Sequence, residues 1–435
     1  MQNLKTSIVQ FKNENKLPII ITAIFFFSIL YVAFAHHLIW NQDGIYYYLH
    51  GKEFFDGNLD NVQILGAPLG MPIIYVALGD LFGSPFEVAK SLSLISGTAI
   101  VLISYFIAKN IFGAKVAIIT QIIVAVSTKL HFLSISALNE LMSIALIISS
   151  FYFLTKNELK NSDFILMGIL LGLSFMLRYQ AILIILGIVI FLFIRNRKIR
   201  YNALKSGILI LVFLTTVSPI LIFNYMTYEN PMETDSSWYI LTLFQFQNPE
   251  WRESISEMRE EGLISLILED PYLSAQNYFY NLFSHNPSKL FNFGVLDNLS
   301  VFPPIPVLGF ITVVLGFLYA IKISKDKTTW IAIAAFAITA LLVFFIGDLH
   351  QHYFALVFIP LLILGILSLK KIQKNFLPLL IVSTILFFSL AIIPVYRSYH
   401  FLLLLIPLSI LNSIFIYEVL PKFVYRLKNL GKVRN

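Results

Sequence analysis

Long apolar runs separated by short polar breaks make up most of this chain, and the runs show no strict alternation of apolar and polar positions. A run of about 17 to 22 nearly uncharged residues is long enough to cross a hydrocarbon core of roughly 30 Å as a helix. Apolar runs, several of them shorter than this, fall at 17–38, 86–108, 116–128, 134–154, 164–177, 181–194, 206–223, 304–321, 329–346, 354–369, 376–393 and 402–419. The pattern predicts about twelve spans, give or take one. In lipid only helices and closed barrels satisfy their backbone, and runs this long exclude a barrel. The expectation is an all-α polytopic membrane protein. The first run is too long, and lacks the small-residue cleavage site, for a removable signal, so it reads as an anchor.

Two long stretches interrupt the pattern, 39–85 and 224–303, and divide the chain into a first helical module (1–223, with the loop 39–85 inside it), a large loop and a second set of helices (304–435). In the first stretch Ile45, Tyr48, Leu49 and Phe55 share one helical face while His50 and Glu53 sit elsewhere. That spacing predicts an interfacial amphipathic helix. Residues 66–72 have too few glycines for a phosphate-cradling loop and read as a break where the chain re-enters the membrane. The second stretch carries Trp238, Trp251, a charged helix-like run at 250–261 and the Pro-rich Phe302-Pro-Pro-Ile-Pro306.

Composition strengthens the membrane reading. Of 435 residues 58% are hydrophobic and 13% charged, with 40 Phe and 21 Tyr; mean hydropathy is +0.79. Soluble domains are roughly half apolar or less. Charge then sets an orientation. With the N-terminus cytoplasmic, the inner segments hold Lys5, Lys12, Lys16, Lys109, Lys115, Lys156, Lys160, Arg195, Arg197, Lys198, Arg200, Lys205, Lys322, Lys325, Lys327, Lys370, Lys371, Lys374, Lys422, Arg426, Lys428, Lys432 and Arg434, most of the 31 basic residues. Lys52, Lys90, Lys129, Arg178, Arg252, Arg259, Lys289 and Arg397 fall outside or near outer helix ends. This asymmetry is what the positive-inside rule expects, so the net charge of +7 is a topology signal rather than a nucleic-acid footprint. The absence of cysteine excludes disulfides, thiolate metal sites and cysteine catalysis.

With this topology the polar chemistry collects on the outer side. All eight histidines (His36, His37, His50, His131, His285, His350, His352, His400) lie there, as do Asp43, Glu53, Asp56, Asn139, Glu140, Arg178 and Asp348. Ionisable groups at membrane depth are costly, which makes Glu140 and Arg178 functional candidates. Arg178 can hold a phosphate in bidentate fashion or simply snorkel to the interface, and Glu140 is either a substrate contact or its ion-pair partner. His350 and His352, beside Asp348, suit a divalent cation in composition, but two residues apart they share no helical face, and a water-exposed turn is the simpler reading. No metal site is assigned; a divalent cation remains a candidate cofactor. Tyr46, Tyr47 and Tyr48 suit an interfacial aromatic belt.

The order of motifs resembles a known family. Asp43-Gly-Ile-Tyr-Tyr-Tyr-Leu-His-Gly-Lys-Glu-Phe-Phe-Asp-Gly57, then Gly66-Ala-Pro-Leu-Gly-Met-Pro72 and Leu81-Phe-Gly83, looks like the opening of the GT-C membrane glycosyltransferases. The group it is most similar to holds the protein O-mannosyltransferases and the aminoarabinose transferases, glycosyltransferase family 39-like. Residues 89–113, Ser136-Ala-Leu-Asn-Glu140 and the Gly-rich helix from Gly168 to Arg178-Tyr-Gln follow in the family's order, and His352-Tyr-Phe-Ala-Leu-Val-Phe-Ile-Pro360 is a looser echo with His352 where Arg is usual. The likeness covers roughly the first 230 residues; beyond them it is one of architecture.

The resemblance implies a GT-C fold and transfer of a sugar from a polyprenyl-phosphate donor to a glycan, lipid or protein acceptor at the outer face of the cell membrane, both termini being cytoplasmic. Such chemistry needs a base for the acceptor hydroxyl and positive charge for the leaving phosphate. By resemblance Asp43 is the general base, a position where Asp also suits a helix N-cap. Arg178 is the phosphate-side cation, and Glu140, Tyr47, His50, Tyr179 and Lys52 are substrate-binding candidates. Two other classes compete: a polysaccharide polymerase or ligase, and a non-enzymatic lipid-linked glycan transporter or flippase. A transporter should show repeats and mid-span charges, and neither is apparent. A polymerase or ligase would keep key arginines in the large loop, where only Arg252 and Arg259 stand, among acids.

Overall fold

The computed structural model describes residues 16–35, 42–58, 68–156, 158–178, 181–195 and 199–229, with a few isolated positions beyond. Every regular element among them is helical: α1 (Lys16–Ala35), α2 (Gln42–Phe55), α3 (Gly70–Phe82), α4 (Pro85–Phe112), α5 (Ala114–Ala125), α6 (Thr128–Ser134), α7 (Glu140–Leu154), α8 (Asn161–Leu177), α9 (Ala181–Arg195) and α10 (Ile199–Tyr228). Helices α1, α4 and α10 contain stretches long and apolar enough to cross a membrane; α3, α5, α7 and α8 are apolar but shorter. The all-α polytopic architecture stands. The expected spans from 304 onward and most of the loop 224–303 lie outside the described residues.

Helix boundaries follow local chemistry. Ser84 caps α4 by accepting from the Glu87 amide at 3.3 Å, and Pro85 occupies the first turn, where its missing N–H costs nothing. Gly83 (φ 81°) and Gly113 (φ 87°) close α3 and α4 with positive φ, which a side chain would resist. Pro219 lies inside α10 and deprives the Thr215 carbonyl of its partner; the Ser218 hydroxyl donates to that carbonyl at 2.9 Å.

Packing depends on small residues. Gly168 and Gly172 of α8 face α10 so closely that a Cβ on Gly172 would stand 2.5 Å from the Thr216 Cβ, and one on Gly168 2.9 Å from the Val212 Cβ. Lipid supplies no hydrophobic drive between helices, so such close approach maximises dispersion contact. Hydrogen bonds add specificity: the fully buried Gln121 of α5 donates from Nε2 to Pro18 O and Thr22 Oγ1 of α1, both at 2.9 Å.

The two ends of the bundle differ. At one end Asn110 donates to Thr155 at 2.9 Å, Lys156 pairs with the buried Asp163 at 2.7 Å, and Lys205 bonds to Asn161. The other end gathers α2, α3, the segment 135–139 and the last turn of α8. Among the described residues, Lys156 and Lys205 thus lie at the end of α8 opposite Arg178, while Lys52 and Lys90 lie on helices of the head.

Two elements depart from expectation. Residues 70–82, inside the expected loop 39–85, form the apolar α3; Gly70-Met-Pro72 opens this helix instead of breaking the chain. The expected spans 116–128 and 134–154 are separated differently: α5 ends at Ala125, Ser127 caps the short α6, and α7 starts only at Glu140. The Ser134 and Ser136 hydroxyls donate to Leu130 O (2.6 Å) and Phe132 O (2.8 Å), and residues 135–139 form no helix.

Candidate active site

The head is assembled by close backbone approach. A Cβ on Gly44 would lie 2.5 Å from Ala137 O and 3.0 Å from Ala137 Cβ; one on Gly51 would collide with Pro72 O, and one on Gly70 with Met176 O. Three glycines therefore seat α2 on the segment before α7, α2 on α3, and the start of α3 on the end of α8. Tyr47, Met71, Tyr75, Ala89, Ala137 and Leu177 fill the space between them. Leu69 and Ile220, flanked by Phe54 and Phe223, close the opposite side, with the two phenyl rings edge to face at 5.4 Å.

Asp43 is the second residue of α2, immediately before Gly44, so the Gly44–Ala137 contact brings the start of α2 against the segment that leads into Glu140. The side chains of Asp43 and Glu140 lie outside the described residues. Arg178 follows the last residue of α8 in extended conformation (φ −156°, ψ 130°), its amide donating to Ser174 O at 2.8 Å. Its Nε donates to Asn139 Oδ1 at 3.2 Å, and Asn139 Nδ2 donates to Leu177 O at 2.9 Å. One turn deeper, the Ser143 and Ser174 hydroxyls meet at 2.8 Å and hold α7 against α8. The segment is also tied to α4, where Ser93 Oγ donates to Ser136 O at 2.6 Å.

Other candidates separate. Tyr47 is only 5% exposed and packs edge to face on Tyr75, so it belongs to the core of the head. His50 stacks on Tyr46 with both ring nitrogens shielded from solvent. Glu53, the next polar residue along α2, has a buried Oε2 with no hydrogen bond among the described residues. Lys52 is exposed, on the side of α2 that also presents Ile45, Leu49 and Phe55. That side is the apolar face expected of an interfacial helix. Tyr179, His350 and His352 lie outside the described residues. Among the described residues no three His, Asp or Glu side chains gather as metal ligands would.

Asn139 was visible in the sequence only as one outer polar residue among several. An Asn heading a helix reads as an N-cap, and nothing local reveals that its amide turns to another helix. Here its backbone is αR (φ −80°, ψ −18°) and its side chain caps nothing in α7.

Residues 67–223 match the family described as dolichyl-phosphate-mannose-protein mannosyltransferase. The match spans Asn139, Glu140 and Arg178 and begins after Asp43. It supports a membrane glycosyltransferase similar to the GT-C enzymes. No curated protein matches the chain. Two solved structures are similar over much of its length: ArnT from Cupriavidus metallidurans bound to undecaprenyl phosphate (12% identity, 93% of this chain and 78% of that one, TM-score 0.42) and ArnT of the same organism in the apo state (12% identity, 86% and 77%, TM-score 0.37).

Proposed function

We propose that this protein transfers a sugar from a polyprenyl-phosphate carrier to a hydroxyl acceptor at the outer face of the membrane. The observation that carries the reading is the convergence of α2, the segment 135–139 and Arg178 on one end of the bundle, through Gly44 against Ala137 and Asn139 against Arg178. The donor class follows from the resemblance and from the family description, which names a dolichyl-phosphate sugar.

In this reading the Asp43 carboxylate takes the acceptor's proton as its oxygen forms a bond to the anomeric carbon. The bond from that carbon to the phosphate oxygen breaks, and the electron pair leaves with the lipid phosphate. Arg178 offsets the charge that grows on the phosphate, where a guanidinium matches its geometry. Glu140, one residue beyond Asn139 in sequence, is proposed to contact substrate or to balance Arg178. The outer-face assignment rests on the sequence, in which most Lys and Arg fall at the breaks expected on the cytoplasmic side.

Deleting the gene and comparing surface glycans, lipids and glycoproteins by mass spectrometry tests the proposal. Loss of one sugar from one class of surface molecule, restored by the intact gene, is the expected outcome. Unchanged surface sugars with accumulation of a lipid-linked glycan on the inner leaflet would point to a transporter instead.

A further inference from the structure

Asn139 stands out among the polar groups of the head. It is 0% exposed, and both ends of its amide are used across the interface between α7 and α8. The assignment of oxygen and nitrogen follows from chemistry: Arg178 Nε can only donate and Leu177 O can only accept, so Oδ1 must face the arginine and Nδ2 the carbonyl. At the head of a helix an Asn ordinarily accepts from the amides of the first turn. Here it leaves those amides and satisfies an orphan carbonyl at the C-terminus of α8 while holding the next residue's side chain.

We propose that Asn139 is the positioning residue of Arg178, fixing the guanidinium so that it meets the phosphate of a lipid carrier in a set orientation. The inference rests on the reading of Arg178 as the phosphate-side cation. A guanidinium is planar, and one bond at Nε together with the tethered side chain determines the direction of the fork formed by its two terminal nitrogens. Arg178 begins extended chain after α8, where its backbone alone would leave the long side chain several rotamers. The Asn139 bond selects among them before substrate arrives, and pre-ordering of this kind lowers the entropy lost on binding. The carbonyl bond to Leu177 keeps Asn139 itself from turning.

The test uses the full-length protein in nanodiscs with two probes, undecaprenyl phosphate and undecaprenol, which differ only in the phosphate. Arg178→Ala should weaken binding of the phosphate and leave the alcohol unchanged. Asn139→Leu, similar in volume, should weaken the phosphate on the order of tenfold, as expected when a charge-assisted bond is lost, again sparing the alcohol. In the Arg178→Ala background, Asn139→Leu should have no further effect on phosphate binding, because the two act as a unit. Asn139→Asp, which keeps the acceptor but sets a negative charge on Arg178, should also lower phosphate affinity and serves if the leucine variant does not fold.

Full phosphate binding by the Asn139 variants, with Arg178→Ala still weak, would overturn the positioning role and leave the Arg178 reading intact. So would equal losses for the phosphate and the alcohol, or an Asn139→Leu effect that persists without Arg178. Full phosphate binding by Arg178→Ala would remove the Arg178 reading and this inference with it.

Discussion

Arg178 and Asn139 form one unit whose members reach the site from different helices, and their chemistry sets what substitution should do. In the proposed reading Arg178 faces the donor's phosphate, so replacing it with Ala should lower use of the donor more than use of the acceptor. Kinetics with each substrate varied in turn measure this: a raised donor KM with an unchanged acceptor KM agrees, and equal effects on both contradict it. Lys at the same position keeps the charge but lacks Nε and the planar fork, so Arg178→Lys should recover only part of the activity. The position of Arg178 could be read from sequence because an ionisable residue ending an apolar, glycine-rich run is conspicuous. Asn139 could not, because its partner lies on a helix 38 residues away. Tyr47 sits in a run of three tyrosines that look alike in sequence, and in the structure it packs edge to face on Tyr75. A run of like residues conceals which member faces inward until the packing partners are known.

Among the elements, α2 is the one whose placement decides the site, and its seat depends on Gly44. A methyl group there meets the Ala137 backbone oxygen at 2.5 Å, and a backbone atom cannot swing aside. Gly44→Ala should therefore displace α2, reduce activity sharply and destabilise the protein by about 1–3 kcal/mol, the usual cost of overpacking. Gly207→Ala on α10 has open space around the new methyl and should leave melting and activity at wild-type values or slightly raise stability. Gly172→Ala should lower stability by about the same 1–3 kcal/mol, since its Cβ would press on Thr216 between two long-packed helices; thermal melting in detergent compares all three. The amphipathic pattern of α2 was readable because Ile45, Leu49 and Phe55 recur at helical spacing, and those residues are exposed on one side. The helix α3 was hidden for a physical reason. Its opening Gly70-Met-Pro72 resembles a chain break, and Asp80 interrupts the apolar run near its end. The break at 135–139 was equally hidden, because no glycine or proline announces it.

At the scale of the whole molecule, composition and charge carried most of the architecture. Apolar runs of membrane length could become only helices, and among the described residues Lys156 and Lys205 pair at the end of α8 away from Arg178. The site itself required three dimensions, since Gly44, Ala137, Asn139, Met176 and Arg178 are scattered over three segments of chain. The account turns on Asp43 as the base that activates the acceptor. The direct measurement is surface-sugar mass spectrometry on cells lacking the gene and carrying either the intact gene or Asp43→Asn, with membrane levels of both proteins matched. The intact gene should restore the missing sugar, and Asp43→Asn, inserted equally well, should restore none of it. Full restoration by Asp43→Asn would contradict the assignment, because an amide cannot take the acceptor's proton.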